Sequence, residues 1–264
     1  MKKDYSEKSK LLQKIVLGIA VYCITVFVAF LFFSYIFKGS DYASLLPSSL
    51  AMFTAGFTSF FFLSPKERGY VFSDRRAVFH NKPFYIIYVF LLSFSMTVAI
   101  NYLFQFIPWD MIKSENVIQD NDFFFSFPLG LQLAVYAFLV PIAEESLFRV
   151  LVFSRLREII AFPAAALLTG VVFGVYHGNL MQGLYAFIMG TVMCFVMHYG
   201  GSVLYPILFH ITANLISTLC AALSNINNVV YSPLVIIISF IYIVFAIILC
   251  FIFKNKLTKK DKQR

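Results

Sequence analysis

The chain has 264 residues, of which 60% are hydrophobic and 13% charged, and its mean hydropathy is +0.82. A soluble domain is about half apolar and roughly a quarter charged, so this composition excludes an ordinary soluble domain and predicts an integral membrane protein. The formal charge of +8 sits in short connections and tails, as the positive-inside rule expects, and no nucleic-acid-binding signature accompanies it.

A helix needs about 20 apolar residues to cross the hydrocarbon core. Eight segments qualify in chain order: Ile15–Phe37, Leu45–Ser64, Phe84–Ile107, Leu131–Arg149, Ile159–Tyr176, Met181–Tyr199, Ser202–Ala222 and Val229–Phe253. The first follows MKKDYSEKSKLLQK. It is too long for a signal-peptide core and no A-x-A-like site follows, so it reads as a retained span. The separations at HGNL (177–180) and GGS (200–202) are short and contain glycine, which predicts tight helical hairpins.

Loop charge tests this count. Lys2, Lys3, Lys8, Lys10 and Lys14 precede span one, and Lys66, Arg68, Arg75, Arg76 and Lys82 lie between spans two and three. Arg149, Arg155 and Arg157 lie between spans four and five, and Lys254, Lys256, Lys259, Lys260, Lys262 and Arg264 follow span eight. With eight spans, only Lys38 and Lys113 of the 21 lysines and arginines fall on the other side. The asymmetry puts both termini in the cytoplasm, and a seven-span chain would destroy it. The far side carries one substantial loop, the acidic PWDMIKSENVIQDND. The predicted fold is therefore all-α: a polytopic bundle of eight transmembrane helices in the cell membrane, surrounded by lipid. Cys23, Cys194, Cys220 and Cys250 lie far apart in apolar segments with no C-x-x-C, so they read as small buried hydrophobes rather than as disulfide or metal ligands.

Ionisable groups inside spans are costly and usually face a bundle interior or a hydrated cavity. The stretch AEESLFR (143–149) places three of them in span four. Glu145 and Arg149 are four apart, with the acid first, so they share a helical face and can pair. Glu144 is turned by about 100° from Glu145 and has no basic residue one turn away, so its partner must come from another helix. This separates a structural Glu145 from a poised Glu144; the alternative is that both anchor the helix at the interface. On span seven, His210 and Asn214 share a face. On span five, His177 and Phe173 lie beside a stripe of Gly170, Gly174 and Gly178 that permits close helix approach, so His177 points into the bundle. His198 reads as an interfacial histidine, and His80 is given no role. Pro141 and Pro206 precede the polar residues on spans four and seven, and kinks there suggest a hydrated cavity between those helices.

A glutamate, two histidines and an asparagine around one cavity suit hydrolysis. The glutamate can act as general base toward water, and imidazole and amide donors can stabilise an oxyanion. Glu144, His177 and His210 also have the ligand types of a catalytic zinc, although no H-E-x-x-H is present. Serine catalysis is unsupported, since no G-x-S-x-G appears.

The motifs Glu144-Glu145-x-x-x-Arg149, Phe173-x-x-x-His177 and His210-x-x-x-Asn214, in this order on successive spans, resemble those of the CAAX protease and bacteriocin-processing (Abi) family over roughly Leu131 to Ala222. Glycine commonly follows the arginine in that family, whereas here Val150 does. The resemblance implies an intramembrane endopeptidase acting on a membrane-embedded or lipidated peptide or protein. Glu144 would activate water, His177 would assist, and His210 with Asn214 would form the oxyanion hole, with Glu145, Arg149 and Phe173 in support. Metal-free catalysis is favoured, because Asn214 suits an oxyanion hole better than a metal; a zinc enzyme would use Glu144, His177 and His210. The core implied is 123–228, after a three-span region 1–122 and before a last span and basic tail, 229–264. Composition rich in Phe, Ile and Lys suits a low-GC bacterium, its plasma membrane, and peptide or bacteriocin-type substrates. Two other functions fit the same residues: a non-catalytic membrane partner or immunity factor of the same family, and a small proton-coupled transporter. Last, His177 lies much further along span five than His210 lies along span seven. A shared site requires span five to start outside the bilayer or the 177–180 link to dip inward.

Overall fold

The computed structural model describes residues 2–74, 77–79, 81–108 and 127–261. Arg75, Arg76, His80, the acidic loop beyond Pro108 and the boundary at 122/123 lie outside the described residues. The rest is helical, with no strand among the described residues. The order is α1 Lys2–Ile36, α2 Leu46–Phe61, α3 Pro65–Phe72, α4 Lys82–Phe104, a long composite helix α5 over 129–159, α6 Phe162–Tyr176, α7 Leu180–Gly200, α8 Leu204–Ala222, α9 Ser224–Val230 and α10 Pro233–Asp261. All eight apolar segments form helix. Five of the helices, α1, α4, α7, α8 and α10, are long and apolar enough to cross a membrane, so the chain is a multi-pass integral membrane protein. α2 and α6 are shorter, with 16 and 15 residues.

The outer helices are apolar all round, as lipid requires. Phe27, Phe32, Ile241 and Phe251 on α1 and α10 are exposed. The interior is built around α4 and α7, where Tyr85, Val89, Phe104, Met189, Met193 and Val196 form one buried cluster with Phe173 and Phe209. Buried tyrosines in that layer place their hydroxyls on backbone: Tyr85 donates to the Val196 carbonyl at 2.8 Å. This satisfies a group that hydrocarbon would leave unpaired.

Glycine permits a close approach between α6 and α7. A Cβ on Gly174 would stand 2.7 Å from the Gly183 carbonyl oxygen, and one on Gly170 would overlap Thr191. Gly178 does not continue this stripe. It adopts a φ of +73° in the turn to α7 with nothing near its missing Cβ, and Asn179 caps α7 by accepting from the Gln182 N–H at 2.8 Å. The cysteines also depart from expectation: Cys194 and Cys220 are buried, but Cys23 is exposed and Cys250 only half-buried.

Two further corrections concern the basic end. Span four does not stop at Arg149; α5 continues to Ile159, leaving 160–161 as the link to α6. Arg155 and Arg157, expected as loop charges, are therefore helical and buried. Acids from the α2–α4 connection meet them. Ser64 and Glu67 form a capping box at the start of α3. Glu67 also takes Lys14 of α1 at 2.8 Å and Arg155 at 2.9 Å, and Arg157 reaches Asp74 at 2.8 Å. Arg155 additionally donates to the Phe62 carbonyl at 2.8 Å. The connection closes onto the α7–α8 turn, with Asp74 N–H on the Gly201 carbonyl at 2.7 Å and Val203 N–H on the Val71 carbonyl at 2.8 Å.

Burial would raise the Glu67 carboxyl above its ordinary 4.5, but hydrogen bonds from Lys14 and Ser64 and the Arg155 charge outweigh it and bring it to about 2. A depressed carboxyl stabilises the fold above its unfolded value and loses that contribution as pH falls through the folded one. The thermal-stability gap between wild type and Glu67→Gln, measured in detergent, is therefore expected to be full above pH 4.5 and to close as pH falls toward about 2; a pH-independent gap would refute this. Gly174→Ala, which must displace backbone, is expected to cost about 1–3 kcal/mol. Gly130→Ala, with open space around it, is the control in the same melt.

Candidate functional site

The site is built on the irregular middle of α5. Regular α-helix at Leu129–Gln132 gives way to a π-helical stretch, Leu133–Leu139, then to α-helix at Val140–Glu145 and a second π stretch, Ser146–Phe153. Pro141 lies one residue beyond the first π stretch, at the second position of the next α-helical piece. Proline has no N–H to donate and crowds the carbonyl one turn back, which fits a wider turn before it. π segments are rare and concentrate at functional sites. The two glutamates thus sit on six residues of α-helix between two widened segments. α2 supports them closely, since a Cβ on Gly56 would stand 3.0 Å from the Ala143 Cα. Pro206 behaves differently: it lies in the first turn of α8, where a missing N–H leaves no intrahelical bond unmade, so no kink is built there.

Glu145 and Arg149 pair as the sequence spacing predicts, Arg149 Nη1 to Glu145 Oε1 at 3.0 Å, with neither side chain exposed. Arg149 also donates from Nη2 to the Gly190 carbonyl of α7 at 3.0 Å, and its guanidinium lies 4.9 Å from the centroid of the Phe173 ring. Glu145 has a second partner that spacing on one helix could not reveal. His210 of α8 places Nδ1 2.8 Å from the same Oε1. A carboxylate accepts, so this nitrogen carries the proton and the other, Nε2, is turned to the remaining glutamate. Nε2 lies 3.6 Å from Glu144 Oε2. Glu145 is thus more than half of a structural pair; it also orients the imidazole that faces Glu144.

His177 caps the end of α6. Its Nδ1 donates to the Phe173 carbonyl at 2.8 Å, which leaves Nε2 with the lone pair. The Phe173 ring stands edge-on between the two histidines, 4.8 Å from His177 at 88° and 5.8 Å from His210 at 85°. Side chains lean toward the N-terminus of their helix, so His177 reaches back along α6 to Phe173, and both imidazoles meet that one ring. Asn214 sits one turn beyond His210. Its Nδ2 donates to the Tyr136 carbonyl in the first π stretch at 2.9 Å, a partner given by neither expected ligand nor imidazole. One amide hydrogen remains for the cavity. His198, outside this group, stacks on Phe162 at 3.9 Å.

Glu144, Phe173, His177, His210 and Asn214 all line one cavity of about 1070 Å³. Glu145 and Arg149 lie behind its wall, wholly buried. Among the described residues no group of three His, Cys, Asp or Glu side chains is disposed to hold a metal ion. Both imidazoles already commit Nδ1, and the donor set offers Glu144 with two Nε2 atoms rather than a formed cradle. The sequence did not point to Tyr136 or to Gly190, because each contributes a backbone carbonyl, which any residue carries. Val150 is fully buried among Phe153, Cys194 and Met197, so the departure from the usual glycine is absorbed in packing.

Residues 126–216 match the family model described as type II CAAX prenyl endopeptidase Rce1-like. That segment carries all three motifs, and the family it matches is one of peptidases. No curated protein and no solved structure matches the chain.

Removing one partner of a buried pair costs about 3–5 kcal/mol. Glu145→Ala, which strands Arg149, is expected to lose that much in a reversible detergent-unfolding titration, with partial recovery in Glu145→Gln/Arg149→Met. Glu144→Ala is expected to lose less than half as much; equal losses would show that the two acids do not differ in structural role.

Proposed function

We propose that this chain is an intramembrane endopeptidase of the CAAX protease type in which Glu144 activates water for attack on a peptide carbonyl. The observation that supports this reading best is the approach of His210 Nε2 to Glu144 Oε2, 3.6 Å, in the floor of an open cavity, with His210 held from behind by Glu145. The membrane arrangement belongs to the same reading: eight spans, both chain ends cytoplasmic, and a core over 123–228 following three spans.

Charge bookkeeping supports the assignment of roles. Glu144, Glu145, Arg149 and His210 sum to zero when they share one proton between Glu144 and His210. A buried cluster favours that neutral total, because an unbalanced charge is costly to desolvate. With the proton on His210, Nε2–H is a donor and Glu144 is an ionised base. One proton position thus prepares both functions, a base for water and a donor for the developing oxyanion. Water attacks the scissile carbonyl carbon as Glu144 takes its proton. His210 Nε2–H and the second Asn214 amide hydrogen hold the negative oxygen. The proton on Glu144 then passes to the leaving amine as the C–N bond breaks, giving an amine and a carboxylic acid, which then ionises. His177 closes the wall on the α6 side, with its Nε2 lone pair available to water or to a substrate N–H. No step is routed through a metal.

Loss of a general base lowers rate by about 10²–10⁴. Glu144→Gln, nearly isosteric, is therefore expected to lower cleavage of a membrane-anchored reporter peptide in proteoliposomes by that factor while the melting profile stays within a few degrees of wild type. Wild-type cleavage by this variant would refute the mechanism. Cleavage by wild type is expected to survive chelation with phenanthroline, and loss that zinc restores would replace it with a metal-dependent one.

A further inference from the structure

The first span reaches the site from outside the matched segment. α1 and α5 run antiparallel where they touch. Lys14 and Arg155 share the Glu67 carboxyl. One turn further along α1, Gly18 meets Leu151, whose Cδ1 would stand 2.5 Å from a Cβ on that glycine. The same register brings Tyr22, another turn along, to the level of Leu147 and Phe148, next to the turn that carries Glu144. Tyr22, Leu147 and Phe148 belong to one buried cluster. The Phe148 ring also packs edge-on against Tyr176, 5.3 Å between centroids, and Tyr176 lines the cavity together with Glu144. The hydroxyls of Tyr22 and Tyr176 thereby come together, and both lie within range of the Glu144 charge.

The Tyr22 hydroxyl has no packing role. Tyr22 is 4% exposed, and its hydroxyl is buried without a hydrogen bond of good geometry. Tyr85, equally buried, gives its hydroxyl to a backbone carbonyl. An unpaired buried hydroxyl is costly, and phenylalanine would fill the same contact without it. Tyr176 can complete the pairing. Its hydrogen rests on Met52 Sδ at 3.8 Å, a weak acceptor, and its oxygen keeps lone pairs for a donor. Glu144 can accept as well, since His210 Nε2 at 3.6 Å stands further off than a charge-assisted hydrogen bond requires. The other charged or titratable groups around Glu144, namely His210, His177, Glu145 and Arg149, all come from the three motifs.

We propose that Tyr22 is a positioning residue for Glu144, acting through Tyr176. When Glu144 is ionised, Tyr22 donates to the Tyr176 oxygen, and Tyr176 turns its hydrogen from Met52 Sδ to the carboxylate. The two hydroxyls hold the base in its charged form and in its orientation toward His210. The proposal rests on the endopeptidase reading and adds a residue of the first span to that site.

Two measurements on the full chain test it. Tyr22→Phe removes the hydroxyl alone. Its kcat on the membrane-anchored reporter is expected to fall by about tenfold with KM unchanged, as for a hydrogen bond to a charged group that matters only in the reaction. Its melting temperature in detergent is expected to equal or exceed that of wild type, because an unpaired buried hydroxyl is lost. Tyr176→Phe is expected to lower kcat as much, and the double variant no further, since each change breaks the same relay. Unchanged kcat in Tyr22→Phe, or a fall in kcat matched by a fall in melting temperature, would overturn the proposal. The second measurement needs no turnover. Infrared difference spectra of wild type against Glu144→Gln isolate the Glu144 carboxyl band. That band is expected to shift in Tyr22→Phe, where the carboxyl loses support from its donor, and an unmoved band would overturn the relay. If no cleavage depends on Glu144, it is the endopeptidase reading that fails, and the infrared band still decides whether Tyr22 acts on Glu144.

Discussion

A single carboxylate oxygen organises this protein. Glu145 Oε1 receives both Arg149 Nη1 at 3.0 Å and His210 Nδ1 at 2.8 Å, tying α5 to α8. Arg149 continues the chain of contacts to α7 through the Gly190 carbonyl. Buried charge is expensive in a membrane, so each of these groups constrains the others strongly. Arg149 cannot leave without stranding Glu145, and Glu145 cannot turn without releasing His210. The cost of placing charge in this core is what makes the imidazole direction well defined.

The same economy governs the basic end. Lys14, Glu67 and Arg155 join α1, α3 and α5, and Asp74 with Arg157 holds the α2–α4 connection against α5. α5 is therefore pinned by charge at two levels, at Arg149 and again at Arg155 and Arg157. Arg149 lies within the second π stretch, Ser146–Phe153, and Arg155 and Arg157 follow it. The charged contacts thus fix α5 along the widened segment that comes directly after Glu144 and Glu145.

Much of this was legible in the sequence, for identifiable reasons. Apolar run length gave the all-helical build and the five helices long enough to cross a membrane, because lipid leaves helix as the economical way to satisfy backbone. The Glu145–Arg149 pair was legible because both partners lie on one helix at a known period. Glu144 was correctly singled out as lacking a local partner, but nothing local could say that His210 would bridge both acids. Arg155 and Arg157 were misread as loop charge, because their partners Glu67 and Asp74 come from a distant connection. The π stretches were invisible for a similar reason: helical wheels assume 3.6 residues per turn, and a widened turn alters which residues share a face without altering composition. Asn214 was legible as sharing a helical face with His210, whereas its bond to the Tyr136 carbonyl depends on that widened turn.

The short helices have a consequence for the surrounding lipid. α2 and α6 have 16 and 15 residues, which at 1.5 Å each is roughly 22–24 Å of rise, and they touch where Tyr176 donates to Met52 Sδ at 3.8 Å. That rise is less than a bilayer core of about 30 Å, and a core that thins to meet so short a flank does so at a modest cost for each ångström of mismatch. His177 stands at the end of α6 on this flank, so a polypeptide reaching it through a thinned core would cross less hydrocarbon.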